Sequence, residues 1–232
     1  FGVCNYINRK KTGLNLKPLE HLYLGLDWSP KFLSEWIKKI DTEKFEVTTN
    51  IKNIEKETAK LIANGNIVAR FNGREEFGAR ALGNRSILAH PSNPQTIATI
   101  NKLIKDRDFW MPFTPSILHE FSTDYIKNDK KTYSPYMAMT FDTTKQGEID
   151  FNAAIHPYDK TMRIQMVRKD VNPSYYSLLS YFKKYTNIGG LLNTSFNLHG
   201  KPNVHTPENA LKTIEKSGLR YLSIGRHLIK KL

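Results

Sequence analysis

Apolar and polar positions follow two periods along the chain, and the switches between them divide it into elements. In "FLSEWIKKI", Phe32, Leu33, Trp36, Ile37 and Ile40 recur at helical spacing. In "NIEKETAKLIANG", Ile54, Thr58, Leu61 and Ile62 share a face, and Gly65 stops the helix. "NIVARF" reads as a buried strand, β-branched and apolar, after which Gly73 and Gly78 bracket a turn. "SILAH" is a second strand, closed by Pro91. "NPQTIATINKLIK" predicts a helix with Pro94 near its first turn. "MPFTPSILHE" is extended, because each proline pushes the residue before it towards β. "YMAMTFD" predicts a strand. "TMRIQMV" alternates, with Met162, Ile164 and Met166 facing one way and Arg163 and Gln165 the other. "NPSYYSLLSYFKKYT" predicts a helix capped by Asn172, and "TPENALKTIEKSG" one capped by Thr206 and stopped by Gly218. Between them "GGLLNTSFN" is a strand running into a turn, and "LRYLSIG" and "HLIKKL" are closing strands. Strands and helices alternate irregularly, so the expected class is mixed α/β (α+β): a twisted, mixed open sheet with flanking helices.

The beginning of the chain differs from the rest. Phe1 to Lys10 reads as the last turns of a helix and residues 10–18 as a basic linker. Residues 1–20 are therefore expected to be the tail of an upstream domain, and residues 21–232 the domain proper. Its basic cluster follows the apolar stretch, which is the wrong order for a signal peptide. No apolar run approaches the roughly 18–20 residues that span a bilayer. With Cys4 as the single cysteine, no internal disulfide can form, and a cytoplasmic location is expected. Net charge changes the picture more: 35 Lys and Arg against 22 Asp and Glu give +13, which favours anionic partners.

Four constellations are candidates for an anion site. Residues 71–86, "FNGREEFGARALGNRS", hold Arg74, Arg80 and Arg85 among three glycines. Glycine lets backbone N–H groups approach a ligand, and arginine grips phosphate or carboxylate in a fork. The alternative is a self-paired network, in which Glu75 and Glu76 neutralise two of those arginines. Lys105 and Arg107 stand two apart where a helix gives way to extended chain, a spacing that turns both to one side. Asn193, Thr194, Ser195 and Asn197 end a buried strand, where such groups serve turns or ligands. Arg163 sits in an apolar strand and needs an anion or a salt bridge. His199 and His205 are two loop histidines, too few for a metal site, and no metal ligand is assigned.

In order, "GREEFGARALGNRSILAHP", "INKLIKDRDFWMPFTPSIL", "NPSYY", "LLNTSFNLHGKP" and "TPENAL" resemble the C-terminal part of the carbamoyltransferases of the nodulation and antibiotic O-carbamoyltransferase family. The resemblance runs from about His21 to the C-terminus. It implies a YrdC/Sua5-like fold that makes carbamoyl-adenylate from carbamoyl phosphate and ATP, with Mg²⁺ accompanying ATP. It also implies an upstream Kae1-like domain carrying iron and the acceptor site, where a sugar or other small-molecule hydroxyl would receive the carbamoyl group. The YrdC-like K-x-R and S-x-N signatures fall on Lys105-Asp106-Arg107 and Ser195-Phe196-Asn197. Carried over by resemblance, Lys105, Arg107 and Arg80 are the catalytic set, and Arg163, Ser195 and Asn197 bind substrate. Many members have arginine where this chain has Met111, and proline is common where it has Ala79. Two alternatives are an RNA-binding module without catalysis and a threonylcarbamoyl-adenylate synthase. Nucleic acid and membrane are not expected as partners.

Overall fold

The computed structural model describes residues 2–15, 19–105 and 111–232. Helix α1, Gly2–Thr12, buries none of its residues. The boundary expected near residue 20 adjoins residues 16–18, which lie outside the described residues. From there the elements are α2 (Pro30–Ile37), β1 (Phe45–Thr48), α3 (Ile54–Ala63), β2 (Val68–Phe71), β3 (Arg85–Ala89), α4 (Gln95–Ile100), β4 (Thr114–Leu118), α5 (Ser122–Tyr125), β5 (Thr140–Asp142), α6 (Lys145–Asp150), β6 (Thr161–Arg163), β7 (Gln165–Val167), α7 (Pro173–Thr186), β8 (Gly190–Ser195), α8 (Pro207–Lys216), β9 (Tyr221–Ile224) and β10 (His227–Lys231).

Eight strands form one mixed sheet in the order β1-β10-β9-β2-β3-β8-β4-β7, and β5 and β6 pair apart from it. Two neighbouring pairs, β2 with β9 and β4 with β7, are parallel; the rest are antiparallel. Local chemistry sets the helix starts. Asn172 Oδ1 accepts Tyr175 N–H ahead of Pro173, and Thr206 forms a reciprocal capping box with Asn209 ahead of Pro207. β2 and β3 are buried at every position, as their apolar runs require of central strands. Burying each large aliphatic chain there is worth about 1.5–3 kcal/mol.

Three expectations need correction. "YMAMTFD" is strand only over Thr140–Asp142. "TMRIQMV" is not one strand: the chain pairs with β5 as far as Arg163, then joins the main sheet beside β4 from Gln165. Met162, Ile164 and Met166 are buried as the alternation demands, but Gln165 is buried too, held by Ser116. β1 lies in a polar stretch with no clear alternation and forms as an edge strand on β10.

A polar row crosses the centre of the sheet. Register places Ser223, Arg70, Ser86 and Ser195 opposite one another on β9, β2, β3 and β8. Cross-strand partners share a face. Arg70 is fully buried and donates to Gly83 O at 2.9 Å and Ser174 Oγ at 2.7 Å. Burial pulls its pKa below the usual guanidinium value. This row ends at Ser195, the last residue of β8.

Candidate active site

The end of the loop between β2 and β3, residues 81–85, is tied down by its backbone groups. Glu76, 8% exposed, accepts the N–H groups of Leu82 at 2.8 Å, Asn84 at 2.7 Å and Arg85 at 3.2 Å on one oxygen. Ser86 Oγ takes Gly83 N–H. The carbonyls of Ala81, Leu82 and Gly83 are taken by Asn193, by Gln165 and Tyr23, and by Arg70. Buried backbone groups must find such partners, and here core side chains provide them. The residue just before this braced segment is Arg80.

The alternative of Arg–Glu self-pairing is replaced by a different brace. Glu76 holds backbone, and Glu75 meets His205. Arg85, read above as part of an anion loop, is fully buried. It donates to Asn72 O and Asn84 O and lies 3.6 Å over the Phe71 ring, and burial brings its pKa down to about 10. Arg74 donates to Leu24 O. Arg80 is exposed and lines a cavity.

The segment carrying Lys105 ends a widened helical turn, Asn101–Lys105. Such turns recur at functional sites, and their last carbonyls need partners. Gly218 N–H takes Leu103 O, His199 N–H takes Ile104 O, and the His199 ring takes Lys105 O. His199 and His205 thus make loop contacts. Lys105 is 2% exposed. Its Nζ donates to Ser195 Oγ at 2.9 Å, Asn197 Oδ1 at 2.6 Å and Asn197 O at 3.3 Å. Ser195 Oγ also donates to Asn197 Oδ1 at 2.6 Å. Asn197 Nδ2 is held by Leu198 O and Lys201 O, which fixes the amide with its oxygen towards the ammonium.

Arg80, Met111, Thr140, His156 and Arg163 line a cavity of about 510 Å³. A recess of about 50 Å³ shares Arg80, Phe113, Thr114 and Arg163 with it and reaches Asn193, Thr194 and Ser195 at the end of β8. Three of the six expected residues, Arg80, Arg163 and Ser195, therefore line one recess, and Lys105 lies behind it, bonded to Ser195. Asn197 joins them through the same ammonium. Arg107 lies outside the described residues. Arg163 enters because β6 stops and the chain changes sheets immediately after it. Residues not singled out include Gln165, Tyr23 and Arg70, which set the loop from inside the core, and Thr114 and His156 on the walls. Only the polar character of Gln165 in an apolar run signalled any of them.

The fold and the recess define a YrdC-like α/β domain with a cationic cleft at a strand end. Residues 59–231 match the family model described as Carbamoyltransferase C-terminus, and the chain belongs to that family. It is 38% identical to an uncharacterised protein of Methanocaldococcus jannaschii over 93% of this chain and 35% of that one. It is 33% identical to nodulation protein NolO of Bradyrhizobium diazoefficiens, over 88% of this chain and 38% of the relative. It is also 32% identical to 3'-hydroxymethylcephem-O-carbamoyltransferase of Amycolatopsis lactamdurans, over 73% and 31%. The chain spans under half the length of the curated relatives it matches. Among solved structures, E. coli YciO matches at TM-score 0.54 and 16% identity over 75% of this chain and 77% of that one. Full-length HypF in its phosphate- and nucleotide-bound form matches at TM-score 0.54 and 16% identity, over 75% and 25%. These likenesses concern the fold.

Proposed function

We propose that this chain is the part of an O-carbamoyltransferase that binds carbamoyl phosphate and ATP and forms carbamoyl-adenylate. The observation that supports it is that Arg80, Arg163 and Ser195 line one recess, with Lys105 and Asn197 hydrogen-bonded to Ser195 behind it. Carbamoyl phosphate and water give carbamate and phosphate. The carbamate oxygen then attacks the α-phosphorus of ATP, and the bond to pyrophosphate breaks. No protein nucleophile is needed, so the residues act by positioning and by meeting charge as it develops. Arg80 and Arg163 hold the phosphoryl group of carbamoyl phosphate in guanidinium forks. Lys105, held by Ser195 and Asn197, lends its charge to a nucleotide phosphate from behind Ser195, and Arg107 shares that work. Met111 stands on the cavity wall where relatives carry arginine, which leaves the anion to Arg80 and Arg163 there.

Among the described residues no group of three or more His, Cys, Asp or Glu is arranged to hold a metal ion. Mg²⁺ is assigned to the phosphates of ATP, where it commonly resides. No helix among the described residues is long and apolar enough to cross a membrane. Acceptor, iron and transfer are assigned to an upstream domain.

The test is exchange of labelled pyrophosphate into ATP. Exchange is expected with carbamoyl phosphate and to fall about 100-fold or more in Arg163→Ala, the scale for loss of one charge-stabilising donor. Exchange that requires threonine and bicarbonate instead would favour threonylcarbamoyl-adenylate synthesis. Exchange equal in wild type and Arg163→Ala would remove Arg163 from the site.

A further inference from the structure

A second cavity, of about 530 Å³, lies beyond the carboxyl ends of the parallel strands β2 and β9, where Asn72 and Gly73 leave one strand and Gly225 and Arg226 leave the other. Ligands in open sheets bind beyond such strand ends. Its floor is apolar: Leu33 and Ile54 are buried. Trp28 forms a side wall, with its ring set by an Nε1 hydrogen bond to His205 O at 3.3 Å.

The rim is cationic. Lys31, Lys52 and Arg226 all line the cavity, and none makes an ion pair among the described residues. Two carboxylates, Asp27 and Glu55, also line it, so the three cations outnumber them by one. Asp27 accepts Trp28 N–H at 2.8 Å, and Glu55 accepts the Ser174 hydroxyl at 2.5 Å. The first turns of α2 and α3 open onto the same space, which adds a positive field. His227, 2% exposed, closes the inner wall, its Nε2 3.4 Å from Ser34 Oγ.

We infer that this cavity is a binding site for a nucleoside monophosphate, separate from the Arg80–Arg163 recess. The phosphate meets Lys31, Lys52 and Arg226, and the base lies between Trp28 and the apolar floor. The volume falls in the range of sites that enclose ligands of this size. The inference does not require the carbamoyl-adenylate reading, since no residue is common to the two sites. Gly73 places the ligand against the root of the loop that carries Arg80.

The test follows the indole N–H resonance of Trp28, assigned by its loss in Trp28→Phe, during titration with AMP and separately with inorganic phosphate. AMP is expected to shift it saturably in wild type and equally in Arg163→Ala. The Lys52→Ala/Arg226→Ala double variant, which changes only exposed side chains, should weaken the response at least about tenfold, as loss of charge-assisted contacts implies. Absence of a saturable shift, or an unchanged affinity in the double variant, would overturn the site. Phosphate alone giving the full shift at the affinity of AMP would overturn the nucleoside assignment. Loss of the shift in Arg163→Ala would mean that AMP acts from the other recess.

Discussion

Lys105→Ala is expected to lower carbamoyl phosphate-dependent pyrophosphate exchange by about 100-fold or more, the largest loss of activity from any single side chain here. The ammonium is 2% exposed and is the group towards which Ser195 and Asn197 both turn. Removing it takes away the charge and also the partner that orients Ser195 and Asn197. Lys105→Arg should not restore exchange, because a planar fork does not fit three acceptors converging on a point. Stability should fall as well, by about 1–3 kcal/mol, since buried acceptors lose their donor. That is a drop of roughly 2–4 °C in Tm per kcal/mol for a chain of this size. Exchange measured well below the transition separates the two effects. Wild-type exchange in Lys105→Ala would contradict the role.

The largest effect on stability is expected from Gly83→Ala. Gly83 has φ of 111°, where a side chain is strained. A Cβ there would also sit 2.2 Å from Cδ1 of Tyr175, inside the van der Waals surface of a ring that is itself fully buried. Tyr175 cannot step aside, because its N–H is held by the Asn172 cap and α7 carries it into the core. Overpacking of about 1–3 kcal/mol and left-handed strain of about 1–2 kcal/mol add to about 2–5 kcal/mol. Urea unfolding with Gly200→Ala as reference checks this. Gly200 also has positive φ, 69°, but no atom within 4 Å of the added Cβ, so it reports strain alone. Equal midpoints for the two variants would contradict the packing argument.

How far the molecule was legible in its sequence depended on whether the deciding interaction was local. The caps at Asn172 and Thr206 were readable because cap, proline and apolar face lie within a few residues. The strands β2, β3 and β8 announced themselves as short apolar runs. Gln165 broke the alternation of its segment, but its partners Ser116, Leu82 and Tyr23 are 49, 83 and 142 residues away. The same distance hid the job of Glu76: next to three arginines it looked like their counter-ion, whereas it binds backbone N–H groups folded back onto it. Arg85 misled for the opposite reason, since nothing near it announces that a strand will carry its guanidinium over Phe71. In and behind the recess, Arg80, Lys105, Arg163 and Ser195 come from four distant segments. Each was a weak signal alone; only a resemblance carried by all the segments in order grouped them.

The central claim is that these groups form one shared site for carbamoyl phosphate and ATP. It is tested most directly by a crystal structure of the chain with carbamoyl phosphate and a non-hydrolysable ATP analogue. The account predicts density for the carbamoyl phosphate between the guanidinium groups of Arg80 and Arg163, with a nucleotide phosphate beside Lys105 and Ser195. Density for both ligands elsewhere, with the recess holding solvent alone, would contradict it.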